Sequence, residues 1–147
     1  MSTKERAEAE GIGTSRSGRT TKVHGVCDEQ GRLRRFSLTG GNRHDVTEAE
    51  ALLGRQGPDT VIADKGFDSK ALRDTLEENG KVPVIPPRKR AKTPADYDEE
   101  AYKDRNLIER AFGRLKDNRR VATRFEKRAR NFEAVVSLCA MRTWLLI

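Results

Sequence analysis

The sequence has 147 residues, 35% of them hydrophobic and 36% charged, which suits one domain with an economical core. No stretch approaches the roughly 18 to 20 apolar residues of a membrane span, and no secretory signal is expected from the polar first residues. The formal net charge is +7, and the stretch from Arg88 to Arg130 holds 15 Lys or Arg against 8 Asp or Glu, so the whole surplus lies there. A polyanion binder would carry its charge in this way, and so would a solvated helix face rich in Lys and Arg.

Residues 1–20 are polar, contain Gly and Ser, show no hydrophobic period, and are expected to form a flexible arm ahead of a domain over 21–147. Residues 21–27 (TKVHGVC) and 33–38 (LRRFSL) flank the turn Asp28-Glu29-Gln30-Gly31, which predicts a hairpin. Thr39-Gly40-Gly41-Asn42 breaks the chain, after which Asp45 or Thr47 caps a helix running to about Leu53. Beyond Gly57-Pro58, residues 60–63 (TVIA) read as a strand buried on both faces, ending at Asp64-Lys65-Gly66-Phe67-Asp68. A helix over about 69–78 stops at Asn79-Gly80, and residues 82–85 (VPVI) form another buried strand closed by Pro86-Pro87. Strand, helix and strand in this order imply a parallel pair with a right-handed crossover. Residues 88–97 are a basic loop, and helices follow over about 99–118 and 129–146. The second of these sets Phe132, Val135, Val136, Cys139 and Thr143 on one stripe, so it packs on the domain.

Asp64 falls where a carboxylate is useful, at the carboxyl end of a buried strand, where ligands bind in open α/β sheets. An ordinary loop aspartate would sit there too. In the helix over 99–118, at about 100° per residue, Tyr102, Arg105, Glu109 and Lys116 fall within an arc of roughly 60°. Leu107, Ile108, Ala111, Phe112 and Leu115 occupy the neighbouring arc and face the core. Surface ion pairs would show the same spacing. Cys27 and Cys139 are isolated and read as buried reduced thiols of a cytosolic protein, not as a disulfide or zinc site. His24 and His44 lie on separate elements, and structural hydrogen bonding is preferred for both over metal binding.

The pattern Tyr-x2-Arg-x3-Glu-x6-Lys, here Tyr102, Arg105, Glu109 and Lys116, resembles the signature of DDE transposases from small bacterial insertion sequences. The segments TKVHGVCDEQGRLRRFSLTGGNRHD, VIADKGFDS, IPPRKR and ARNFEAVVSLCAMRTWLL are similar to the same family, in the same order, over about residues 20–147. The resemblance implies an α/β, RNase H-like mixed sheet flanked by helices. It implies metal-dependent cleavage and strand transfer on double-stranded DNA, at transposon ends and at a target. Asp64 would be the second catalytic aspartate and Glu109 the catalytic glutamate, both ligands of a two-Mg²⁺ site. Lys116 and Arg105 would hold phosphates or neutralise charge, and Tyr102 would either position DNA or pack. Within the basic window, Arg88, Lys89, Arg90, Lys92, Arg114, Arg119, Arg120 and Arg124 would contact phosphates with little base preference. Self-association or pairing with a full-length transposase is implied, with no membrane and no small-molecule substrate, in a cytoplasmic, nucleoid-associated protein.

The family pattern begins with another aspartate, on a strand ahead of the hairpin. Residues 1–20 contain no Asp, Asp28 lies in a turn, and Asp45 lies at a helix start, so neither is a good substitute. The absent strand is the central one of the RNase H-like sheet, and its loss would leave sheet edges exposed or abnormally paired. The chain is therefore expected to be a truncated remnant or the second part of a split transposase, with an incomplete metal site. Two other readings predict binding without catalysis: an inactive DNA-binding remnant that modulates full-length transposase, and a basic RNA- or ribosome-associated protein. The low aromatic content, 5%, argues against single-strand recognition by base stacking.

Overall fold

A reciprocal cap starts the first helix: the Ser2 hydroxyl accepts the Glu5 amide (3.2 Å) and the Glu5 carboxylate accepts the Ser2 amide (2.5 Å), at the head of α1 (Thr3–Ala9). In this computed structural model the described residues are 2–16, 18–53 and 57–146. Met1 and Ser17 of the expected arm, and residues 54–56 and 147 of the expected domain, lie outside them. Regular structure thus enters the stretch read as a loose arm, first as α1 and then as β1 (Gly13–Ser15).

The chain divides into two compact units, Met1–Arg43 with Leu107–Ile147, and His44–Asn106. In the first unit, β1, β2 (Gly18–Cys27) and β3 (Leu33–Gly40) form an antiparallel sheet in that order. The β2–β3 hairpin closes as predicted. Gly31 takes a left-handed φ of 73°, and the Asp28 carboxylate accepts the Gln30 and Arg32 amides at 3.0 Å each. Three helices complete this unit: α5 (Asn106–Lys116), α6 (Arg119–Ala122) and α7 (Ala129–Leu146). Leu33, Leu115, Val121, Phe132, Val136 and Ala140 form its buried core, with Val23, Phe36, Leu38 and Phe112 packed against them. Gly25 of β2 permits this approach, because a Cβ there would stand 2.7 Å from Leu33 Cδ1 and 3.0 Å from Phe112 Cζ. The α7 stripe packs as its spacing predicted, except that Ala140 replaces Thr143 as the buried residue. The Thr143 hydroxyl donates to the Ala140 carbonyl at 2.7 Å.

The second unit contains α2 (Val46–Leu53), β4 (Thr60–Ile62), α3 (Lys70–Glu78), β5 (Val82–Val84) and α4 (Glu99–Tyr102). The β4 and β5 strands pair in parallel, Thr60 opposite Val82 and Ile62 opposite Val84, as the strand–helix–strand order required. Ala49, Val61, Leu72, Leu76 and Ile85 make its core. Gly80 at φ 70° ends α3. Lys81 is buried but not apolar in role: its ammonium donates to the Pro58 carbonyl at 3.1 Å.

The architecture is mixed α/β with helices and small sheets, and the strands lie in two sheets, one antiparallel and one parallel. Two expectations change. The helix expected over 99–118 is α4, a 3₁₀ turn at Lys103–Arg105, and α5. A 3₁₀ turn advances about 120° per residue, so the 3.6-residue period holds within α5 but not across the turn. Cys27 and Cys139 are free thiols, half-buried rather than buried. No described helix is long and apolar enough to cross a membrane.

Candidate active site

The parallel pairing of β4 with β5 extends one residue past the strand, through the Ala63 amide to the Val84 carbonyl (3.2 Å), and delivers Asp64 to the carboxyl end of β4. Asp64 then caps the 3₁₀ turn Lys65–Phe67. Its Oδ1 accepts the Gly66 amide at 2.7 Å, and its carbonyl accepts the Phe67 amide at 2.9 Å. The cap fixes the side chain with one oxygen turned into the turn. Glycine is needed here for space: a Cβ at position 66 would lie 2.8 Å from Asp64 Oδ1 and 3.8 Å from Asp45 Oδ2. The same small volume therefore faces the carboxylate of Asp45, a residue dismissed on sequence because it precedes a helix.

Asp68 ends the turn and gathers cations around it. Its Oδ1 accepts Arg73 Nε (3.1 Å) and Nη2 (3.0 Å), and its Oδ2 accepts the Arg88 amide (2.8 Å). Burial pushes the Asp68 carboxyl up, but the Arg88 amide, the Arg73 side chain and both positive charges outweigh it and hold the group below its ordinary range. Arg73 reaches on to the Ile85 carbonyl at 2.5 Å. The Arg88 guanidinium donates to the carbonyls of Lys65 (3.3 Å) and Gly66 (3.1 Å). Periodicity did not reveal this network. Its only sequence trace is an arginine among the apolar positions of α3, five residues after an aspartate.

Tyr102 and Arg105 also belong to the second unit. Tyr102 packs edge-on to Tyr97 with ring centroids 5.6 Å apart, and the Arg105 guanidinium lies 5.7 Å from the Tyr102 ring centroid. Glu109 and Lys116 belong to the first unit, exposed in the first and last turns of α5. Seven residues of unbroken α-helix separate them, so they share a face roughly 10 Å apart along the axis, while Ala111 and Leu115 face the core.

The basic residues divide. Lys89, Arg90 and Lys92 are exposed in the loop after β5, and Arg119 and Arg120 are exposed on α6. Arg120 is ion-paired with Glu126 and lies 4.5 Å from the Phe125 ring centroid. Arg114 is half-buried, donating to the Gly31 carbonyl at 2.7 Å. Arg124, also half-buried, adopts a left-handed φ of 50°. Its guanidinium serves the Glu10 carbonyl (2.7 Å), the Thr21 hydroxyl (3.2 Å) and the Glu126 carbonyl, over the Phe132 ring. His24 is buried with Nε2 2.6 Å from the Thr39 hydroxyl, a structural bond of the kind preferred from sequence. Among the described residues no three metal-ligating side chains come together.

The family model of the transposase DDE domain matches residues 2–144. A Brucella ovis protein assigned as the transposase of insertion sequence element IS6501 is 37% identical over 131 residues, covering 86% of this chain and 98% of that protein. A Burkholderia cepacia protein assigned as the transposase of insertion sequence element IS402 is 33% identical over 144 residues, covering 89% of this chain and 66% of that protein. No solved structure matches this chain.

Proposed function

The chain belongs to the family of transposases with a DDE domain, and from that premise we propose that it supplies the second aspartate and the glutamate of a strand-cleaving and strand-transferring site on double-stranded DNA. Asp64 and Glu109 are the two metal-binding carboxylates of this reading. The donor set suits Mg²⁺: Asp64 keeps Oδ2 outside the bond to Gly66, the Asp45 carboxylate faces the same turn, and hard oxygens with retained water are what this ion takes. When bound, Mg²⁺ supplies Lewis acidity at the phosphate oxygens and a more acidic nucleophile.

The observation that carries the proposal is the Asp64 turn, a carboxylate held by its own cap at the carboxyl end of a parallel strand. The chain's residues hold and orient the DNA. Lys116 shares the exposed face of α5 with Glu109 and would neutralise a phosphate two turns away. Arg105 would do the same from its place on Tyr102, which packs and thereby aims it. Lys89, Arg90, Lys92 and Arg119 would meet backbone phosphates without reading bases. This reading assigns no residue of the sequence as the first aspartate. Supporting this, no aspartate precedes Asp28, and Asp28 is spent on the β2–β3 turn and on Arg32.

The test is Mg²⁺-dependent cleavage of transposon-end DNA, by the chain alone and mixed with full-length transposase, for wild type, Asp64→Asn and Glu109→Gln. The reading expects little cleavage from the chain alone and a contribution to the mixture that both substitutions remove. Robust cleavage by the chain alone overturns the incomplete site. Cleavage indifferent to both substitutions overturns the assignment of the carboxylates.

A further inference from the structure

Arg88 opens the basic loop, and its place in the sequence suggests a phosphate ligand. Its geometry suggests otherwise. The guanidinium spans the carbonyls of Lys65 and Gly66 at 3.3 and 3.1 Å, which are the two residues after Asp64. The Arg88 amide donates to Asp68 Oδ2 at 2.8 Å, and Asp68 Oδ1 takes both bonds from Arg73. Arg73 in turn holds the Ile85 carbonyl at the end of β5. The turn that carries Asp64 is thus fastened to residues 85–88 at both of its ends, by Arg88 at Lys65 and Gly66 and by Arg73 through Asp68. A planar guanidinium with several fixed donors can bridge two carbonyls at once, which an ammonium cannot.

We propose that Arg88 is a positioning residue for the Asp64 carboxylate, acting through the Lys65 and Gly66 carbonyls, with the Asp68–Arg73 pair as its anchor. The inference rests on the proposed role of Asp64 for its meaning, but not for its physical test. The Lys65 carbonyl that Arg88 holds and the Gly66 N–H that caps Asp64 belong to one peptide group. Holding the Gly66 peptide keeps its N–H aimed at Asp64 Oδ1, so the clamp and the cap are one unit. Residue 66 offers no side chain that could substitute for that hold.

The test is amide hydrogen exchange on the full chain, with DNA affinity measured across a salt series, for wild type, Arg88→Ala, Arg88→Lys and Asp68→Asn. For Arg88→Ala we expect Gly66 to exchange about tenfold faster, equivalent to losing one net hydrogen bond, with the salt dependence of DNA binding unchanged. Arg88→Lys should recover part of the protection by reaching one carbonyl, and Asp68→Asn should lose protection with Arg88 intact. Unchanged Gly66 exchange in Arg88→Ala overturns the proposal. So does a salt slope reduced by about 0.9, the signature of one lost phosphate contact. If Asp64→Asn leaves cleavage intact while the exchange results stand, the catalytic reading has failed and the clamp has not.

Discussion

Replacing Gly66 with alanine tests how much depends on the seat of one carboxylate. The new Cβ would stand 2.8 Å from Asp64 Oδ1, a separation that real Cβ atoms do not adopt, so the carboxylate must retreat by several tenths of an ångström. In retreating it loses or stretches its 2.7 Å bond from the residue 66 amide. That bond is partly exposed, and its net worth is about 1 kcal/mol, the usual cost of losing a cap. For a chain of this size the melting temperature should fall by about 2–4 °C. On the proposed role of Asp64 the functional cost should be larger, because the carboxylate is displaced by a sizeable part of the roughly 1 Å that can cost on the order of 10²-fold in rate. Gly80→Ala is the matched control. It forces a side chain into a left-handed φ of 70° at a similar cost of about 1–2 kcal/mol, with nothing within 4 Å of the added carbon. The assay is strand cleavage of end DNA under the conditions where wild type cleaves, with melting and DNA affinity measured beside it. Gly80→Ala should cleave normally and Gly66→Ala should not, at equal loss of stability. Cleavage by Gly66→Ala within about threefold of wild type, less than 1 kcal/mol of barrier, would refute the reasoning.

Asp68→Ala leaves the Arg73 guanidinium, whose side chain is 10% exposed, without its carboxylate, and should cost about 3 kcal/mol in denaturant unfolding at neutral pH. Because the folded carboxyl lies below its ordinary value, its contribution is present above the unfolded pKa of about 3.9 and fades as pH falls through the lower folded value. The wild type should therefore lose more stability on acidification than the variant, and equal losses would contradict the assignment. Arg90→Ala should lower the salt slope of DNA binding by about 0.9. Arg124→Ala should leave that slope alone and lower stability by about 2 kcal/mol through its lost carbonyl and hydroxyl partners. Trp144→Phe keeps a ring beneath Arg32 and Arg34 but loses the indole bond to the Leu33 carbonyl (3.0 Å), and thermal melting followed by circular dichroism should register about 1 kcal/mol.

Much of the second unit was legible because its signals are local. A short apolar run, a helix with a Gly stop and another apolar run give β4, α3 and β5 with little ambiguity. The Ser2-to-Glu5 spacing was an equally local signal for α1, masked by the polar composition around it. The 3₁₀ turn at Lys103–Arg105 had no such signal, since Lys, Asp and Arg are ordinary helix residues and nothing in their order marks a tightened turn. At four residues, α6 is too short to show a period, although its Asn118 cap was readable. The strand that ends at Asp64 and the helix that carries Glu109 were legible, and the roles expected of the two residues came only from the family resemblance. The partners that hold the Asp64 turn come from residues 4–24 positions away, and pairings of that kind leave no trace in one sequence.

The charge count shows the same limit in a sharper form. A surplus of 7 between Arg88 and Arg130 reads equally as a polyanion-binding stretch and as a solvated helix face. In the fold, part of it is structural wiring. Arg88 holds the Asp64 turn, Arg114 holds the Gly31 carbonyl, Arg124 holds three groups of its own unit, and Arg120 faces Glu126. A guanidinium already donating to carbonyls can meet a phosphate freely only with the donors left over, and each carbonyl bond it gives up costs about 1 kcal/mol net and more where the carbonyl would be left buried. An exposed phosphate contact returns little more than counterion release. We propose that phosphate contacts fall instead to exposed cations, Lys89, Arg90 and Lys92 in one unit and Lys116 and Arg119 in the other.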